Sequence, residues 1–199
     1  SDAMRTAMQS LQDRAKFNKE DLCRNTLDLC EGFVYVTTGT EGSLAEWLSQ
    51  GDISQTYLSM MVVPFAHIIY GRALLDRKEY LKLLGVSEYF MGVSNVFPNL
   101  LPQVYTKIYL AQANIALGKE DEAISLLTQA LETALPDKIY MPFVENNEGL
   151  RTLMPKAAER IADKSGLDHI DTFSRLFSKS VRKINADKPA LSGREQEVY

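Results

Sequence analysis

The stretch that decides the fold is YLAQANIALGKEDEAISLLTQALETALP, residues 109–136. In its second half, apolar residues recur at three- and four-residue spacing, which predicts one apolar stripe along a helix over 120–134. That stripe consists of Ala123, Ile124, Leu127, Ala130, Leu131 and Ala134. Acidic residues at 120–122 favour a helix start because negative charge suits the positive end of the helix dipole. Pro136 then ends the helix.

The preceding segment, 101–117, is apolar on most sides. A helix of this kind is predicted to lie between neighbouring helices, because no face of it suits water. Gly118 ends it, and the turn Gly118-Lys119 is so short that the next helix must run antiparallel to it.

A second copy of this pattern precedes the first. LLDRKEYLKLL at 74–84 resembles ALGKEDEAISLL at 116–127, and aligning the two at an offset of 42 places Leu81 where Ala123 stands. The repetition predicts a second helical hairpin, 62–75 with 78–93. The stretch 32–40 is β-prone and is interpreted as a helix end that runs into a loop. Further helices are predicted to extend or cap the stack, at roughly 5–15, 19–36, 43–49, 149–163 and 168–185.

Segment 109–136 resembles a tetratricopeptide repeat, with Ala111, Ala123 and Ala130 as the small residues where two helices cross. The resemblance implies an all-α fold of tandem antiparallel hairpins that form a right-handed superhelix. The first helix of each hairpin would line its concave face. On the 42-residue offset, the inward positions are Tyr105, Ile108, Gln112 and Ile115, and Val63, Ala66, Tyr70 and Ala73.

Tyr70, Tyr105 and Gln112 are the candidate binding residues on that face. Two tyrosines and a glutamine among apolar groups would suit a small-molecule effector or a protein partner. The competing interpretation is that they pack against the neighbouring hairpin, since large aromatic residues usually belong to the core.

The segment LSGREQEVY, 191–199, contains a capping box, in which Ser192 and Glu195 cap a helix start. The segment resembles the opening of the LuxR-type helix-turn-helix domain. Six residues fit that pattern, and Tyr199 stands where leucine is usual; the six are Leu191, Ser192, Arg194, Glu195, Glu197 and Val198.

A second motif agrees with the first. IYMPFVENNEGL, 139–150, resembles a motif near the end of the helical domain of MalT-like regulators, which precedes their LuxR-type domain. Pro142, Phe143 and Glu145 match it. Met141 replaces the usual arginine, and Asn147 stands where glycine is common; asparagine tolerates a left-handed backbone there.

The first four residues, Ser1-Asp2-Ala3-Met4, are interpreted as an expression scar at 1–4. The resemblances imply a helical sensor or linker domain at 5–186, and a linker with the first residues of a truncated helix-turn-helix domain at 187–199. The implied function is a signal-sensing or protein-interaction domain of a LuxR-family transcriptional regulator. It would control a C-terminal DNA-binding domain absent from this chain. The alternative is a tetratricopeptide-type scaffold for protein–protein interaction, without a DNA-binding role.

Composition limits the other partners. A net charge of −4 and a pI near 5.3 give no basic surface for nucleic acid, so DNA is expected only through the missing domain. No apolar run is long enough for a membrane span. Cys23 and Cys30 are too far apart along a helix for a disulfide, and are interpreted as reduced packing residues of a cytoplasmic protein. A homodimer is compatible with these features.

The residues give no sign of an enzyme, a cofactor or a metal. No serine or cysteine is recognisable from the sequence as a nucleophile paired with a catalytic base, and no glycine-rich phosphate loop is present. His67 and His169 have no ligand-spaced partner, and His169 is interpreted as part of a solvated helix start. Trp47 is predicted to anchor a short helix onto the array.

Overall fold

A computed structural model describes the backbone of residues 2–39, 42–54, 56–96 and 99–186, and the side chains from residue 20 onward within those ranges. This part of the chain is all-helical and contains no strand, which confirms the predicted fold class at that level. Its helices are α1 (Asp2–Thr38), α2 (Glu46–Gln50), α3 (Val63–Asp76), α4 (Tyr80–Val96), α5 (Leu100–Ala116), α6 (Glu120–Ala134), α7 (Met141–Glu145), α8 (Asn147–Leu150), α9 (Met154–Arg160) and α10 (Leu167–Ala186).

Two helical hairpins, α3 with α4 and α5 with α6, form the centre of the fold. Helix α6 has the predicted bounds, and Ala111, Ala123 and Ala130 are fully buried where small residues were expected. Helix α5 packs against α3, α4, α6 and α7, which confirms that it lies between neighbours. Ile108 of α5 and Leu127 of α6 are completely buried.

The two hairpins repeat at a spacing of forty residues, because Lys78 and Gly118 occupy equivalent turn positions. Both have a left-handed backbone, with φ of 61° at Lys78 and 76° at Gly118. Each donates its N–H to the carbonyl three residues earlier, Leu75 or Ile115, at 3.0 and 3.1 Å. The two turns therefore have the same backbone conformation and the same hydrogen bond.

The predicted offset of 42 is accordingly wrong. Leu81, which that offset aligned with Ala123, is 76% exposed, whereas Leu83 is fully buried in the place equivalent to Ala123. Glycine is the usual residue for a left-handed turn, and the first hairpin has Lys78 there instead. The first hairpin therefore lacks the turn glycine that would have aligned the two repeats correctly.

The first helix is longer than predicted. Segments 5–15 and 19–36 form one helix, α1, because the residues between them include neither glycine nor proline to interrupt it. The helix continues through the β-prone stretch to Thr38 and stops before Gly39, as expected for a helix end. Val36 is buried there against α2 and α3, and this packing overrides the local preference for a strand.

The side chains of α1 and α2 join the two helices. Nε1 of Trp47 donates to Oδ2 of Asp28 at 2.8 Å, which confirms that this residue anchors the short helix. The interpretation of Cys23 and Cys30 as packing residues is wrong. Both are free and exposed, because the buried side of α1 carries Leu29 and Val36 instead.

The predicted helix at 149–163 is in fact two short helices, α8 and α9. Pro155 lies in the first turn of α9, and a proline disfavours helical backbone at the residue before it. Helix α10 has nearly the predicted bounds and packs against α7. Near its end, Nδ2 of Asn185 donates to the carbonyl of Thr38 at 3.2 Å, so α10 brings the chain back to the end of α1.

The LuxR-like segment 191–199 and its capping box lie outside the described residues. Among the helices that the structure describes, none is both long and apolar enough to cross a membrane.

Candidate functional site

A polar cleft of about 790 Å³ lies between α3, α5, the α7–α8 junction, α10 and the end of α1. Helices α3 and α5, the first helices of the two hairpins, contribute Arg72, Asp76 and Gln112. The α7–α8 region contributes residues 144–149 and Arg151, and α10 contributes Phe177, Ser178, Val181 and Arg182. The cleft therefore lies where five separate parts of the chain meet.

The side chain of Asn146 forms hydrogen bonds with α3, α5 and α7. It follows α7 directly and precedes α8, and it is only 3% exposed. Its Oδ1 accepts hydrogen bonds from Nη1 of Arg72 at 3.0 Å and from Nε2 of Gln112 at 3.3 Å, and its Nδ2 donates to the carbonyl of Pro142 at 2.8 Å. Since arginine can only donate, these contacts fix which way the Asn146 amide points.

Arg72 and Gln112 occupy equivalent positions in the two hairpins on the forty-residue spacing. Arg72 also donates from Nε to Oδ1 of Asp76 at 2.9 Å, one turn later on α3. The hydrogen bonds of Asn146 thus connect the same position of both repeats to the segment after α7. One buried side chain therefore connects α3 and α5 with the segment between α7 and α8.

Beneath the cleft, the hydroxyl of Tyr105 donates to Oε2 of Glu145. Burial raises the pKa of the Glu145 carboxyl, while the Tyr105 hydrogen bond and the Arg72 charge act in the opposite direction. Burial also raises the pKa of Tyr105, and the negative charge of Glu145 adds to this. Tyr105 is therefore a neutral donor to a partly desolvated carboxyl group.

The three candidate binding residues have different surroundings. Gln112 lines the cleft, and Tyr105 is buried under it and bonded to the cleft residue Glu145. Tyr70 lies elsewhere, in the space left by Gly51 beside a cavity of about 10 Å³, with Nζ of Lys82 5.7 Å from its ring centre. The structure thus places Gln112 and Tyr105 together at the cleft and Tyr70 away from it.

The predicted inward row of α3 changes with the register. On the forty-residue spacing, the positions equivalent to Tyr105, Ile108, Gln112 and Ile115 are Phe65, Ile68, Arg72 and Leu75. Val63, Ala66, Tyr70 and Ala73 are therefore not the residues equivalent to that row of α5. Of these, Ala66 and Ala73 are buried residues that do not line the polar cleft.

The motif at 139–150 supplies much of the cleft. Pro142 and Phe143 are buried, and Glu145 accepts from Tyr105. The expectation of a left-handed Asn147 is wrong, because its φ is not positive and it begins α8. The glycine that matters is Gly149, where an added Cβ would collide with the Gln112 amide.

Arg72, Asn146, Arg151 and Arg182 were missed by the sequence analysis. A signal existed for Arg72, which is the one charged residue of α3 before its last position. Arg151 and Arg182 have no carboxylate within 4.0 Å among the described residues, whereas Arg72 is paired with Asp76. Exposed arginines give no periodic signal, so only the structure shows that these two line one cleft.

Neither histidine lines the cleft, and each stacks on an aromatic ring. His67 is 6% exposed, stacks on Phe90 with ring centres 4.5 Å apart, and has an Nδ1 without a hydrogen-bond partner. Burial lowers the pKa of His67 to about 4. His169 is exposed in the first turn of α10 and stacks on Tyr140. Within the described ranges, no three or more His, Cys, Asp or Glu side chains are grouped so that they could hold a metal ion.

Comparison with known proteins gave no match for this chain, whether against family models, curated sequences or solved structures.

Proposed function

We propose that this chain is the regulatory domain of a LuxR-type transcriptional regulator, in which tetratricopeptide-like hairpins sense an effector in the cleft. One observation carries the proposal: α10 forms a wall of the cleft, and a few residues later the chain reaches the LuxR-like segment 191–199. A ligand that contacts α10 would therefore act directly on the element that leads toward a DNA-binding domain.

The arrangement of α10 supports a two-state response. Its first half is held by buried Ile170 and by packing on α7. Its second half, by contrast, is in contact with the fold through the half-buried Phe177 and Val181 and through the Asn185–Thr38 hydrogen bond. An element with few buried contacts opens at low free-energy cost, which is what a switching element requires.

The order of the hairpins supports the tetratricopeptide-like part. Each first helix packs on the next one, α1 on α3, α3 on α5 and α5 on α7, while α4 packs on α5 and α6 on α9. Left-handed turns recur at Lys78 and Gly118, and small residues fill the α5–α6 contact. These are the features expected of stacked hairpins with an inner and an outer layer.

The alternative, a scaffold for protein partners, is favoured by the outer face of α4. Leu81, Tyr89 and Val96 are 76%, 57% and 67% exposed, and they share one side of the helix with Gly85 and Gly92. That face would suit a protein surface. No residue of α4 lines the cleft, however, so this face gives no route through the cleft to the following segment.

The test uses the protein translated from the whole reading frame and compares two variants of α10. Phe177→Ala removes a cleft-wall side chain, and Leu176→Ala removes its neighbour, which is 57% exposed and does not line the cleft. We expect Phe177→Ala to change affinity for duplex DNA by about 5- to 150-fold, the usual range of coupling between sites. Leu176→Ala should leave it unchanged. Equal effects of the two variants would contradict the proposal.

A further inference from the structure

Some charged side chains of the cleft are paired with other groups of the protein, and others are not. Asp76 is paired with Arg72, and Glu145 accepts from Tyr105. Among the remaining lining residues, Arg151 and Arg182 have no acidic partner in the part of the chain that the structure describes, and Glu148 is the one carboxylate left there. The groups that are open to a ligand thus carry more positive than negative charge, although the chain as a whole has a net charge of −4.

The side chains of α10, which lines the cleft, add to this excess of positive charge. After Asp171, which pairs with Arg175, the rest of the helix contains Lys179, Arg182 and Lys183 and no acidic residue. Arg182 belongs to this basic half, and Arg151 lines the cleft from a different element, directly after α8. A guanidinium group can bind a carboxylate or a phosphate through two parallel hydrogen bonds.

From this arrangement we infer that the effector is a small molecule bearing a carboxylate or phosphate group, held between Arg151 and Arg182. Its neutral part would contact the amide side chains of Gln112 and Asn147 and the ring of Tyr35, which also line the cleft. A volume of about 790 Å³ is ample for a molecule of this kind. The inference rests on the proposed sensing function and specifies its ligand.

Binding of such an anion would have a structural consequence. Arg151 belongs to the α8 side and Arg182 to α10, so one anion between them would attract the two walls toward each other. The Asn185–Thr38 hydrogen bond lies one turn beyond Arg182 and would be affected first. Arg182 would thus both bind the anion and belong to α10, the helix that leads toward segment 191–199.

The test measures thermal stability of the 199-residue chain with two matched pairs of probes at constant ionic strength. Glucose 6-phosphate is compared with glucose, and succinate with succinamide. We expect the anionic member of at least one pair to raise the melting temperature in a saturable way and its neutral partner to have no effect. Arg151→Gln combined with Arg182→Gln should weaken this binding by about tenfold per arginine.

The matched control is Lys179→Gln combined with Lys183→Gln, which removes the same charge from residues of α10 that do not line the cleft. It should weaken binding by no more than about twofold, because Lys179 and Lys183 attract the anion only over a distance at which salt screens the interaction. Arg182→Lys provides a milder change, because it keeps the charge and loses the two-pronged hydrogen bond, and it should bind with intermediate affinity.

Three results would overturn the inference: no shift with either anion, equal shifts with the neutral partners, or equal losses in the control and the double arginine variant. Binding of a neutral probe would refute the anion assignment and leave the sensing function standing. Loss of the sensing function would instead appear in the DNA-binding comparison of Phe177→Ala with Leu176→Ala.

Discussion

Arg72 and Gln112 lie forty residues apart on two different helices, yet both donate to one atom, Oδ1 of Asn146, at 3.0 and 3.3 Å. They occupy the same position in two successive hairpins. The segment after α7 is thereby bonded to both repeats at once, and together with α10 it lines the cleft. The stability of this junction decides how firmly the cleft is held.

Asn146→Ala should therefore destabilise the fold by about 2–3 kcal/mol, because Arg72 and Gln112 lose a shared acceptor and the Pro142 carbonyl loses a buried donor. Urea denaturation followed by circular dichroism measures this change. Asn147→Ala is the matched control. Its side chain also lines the cleft without these bonds, and its effect should stay within about 0.5 kcal/mol. A similar loss in both variants would show that the hydrogen bonds are unimportant.

The turn register predicts opposite effects of two glycine exchanges. Lys78→Gly relieves a left-handed backbone at a residue with a side chain, and should stabilise by about 0.5 kcal/mol. Gly118→Ala imposes a side chain on the equivalent turn, where φ is 76°, and should destabilise by about 1 kcal/mol. Chemical denaturation of both variants checks the pair. Changes of the same sign would mean that the turns are not equivalent.

The sequence was sufficient to predict the helical class and the α5–α6 hairpin, because Gly118 and the period of 120–134 are local signals. It was insufficient for the repeat register, since Lys78 adopts by tertiary context a conformation that glycine usually marks. It was also insufficient for Asn146, a turn residue whose partners are distant in sequence. Glu145 was singled out only through the family resemblance, and its hydrogen bond with Tyr105 required the structure.

Tyr105→Phe should destabilise more at neutral than at acidic pH. Glu145 has a folded pKa above its ordinary 4.5, so stability falls as pH rises from 4.5 through that folded pKa. The Tyr105 hydroxyl opposes this shift, and removing it should cost about 1.5–3 kcal/mol at pH 7 and less at pH 4. Denaturation at both pH values tests the difference. Tyr109→Phe, for which no hydroxyl bond exists in the described structure, should show no such pH dependence.

His67 predicts a loss of stability in acid. Its folded pKa of about 4 is below the unfolded value of 6.5, so the unfolded chain binds a proton more readily as the pH falls from 6.5 to about 4. Stability should decline across that window by up to about 3 kcal/mol relative to His67→Phe, which keeps an aromatic ring against Phe90 and cannot titrate. Parallel pH profiles for the wild type and the variant would contradict this account.

The measurement that tests the central claim most directly is DNA binding by the protein translated from the whole reading frame, compared with the 199-residue chain. The proposal predicts that the reading frame continues beyond Tyr199, that its full product binds duplex DNA with an affinity that decreases as salt increases, and that the 199 residues alone do not bind. A reading frame that ends at Tyr199, failure of its full product to bind DNA, or tight binding by the 199 residues alone would contradict it.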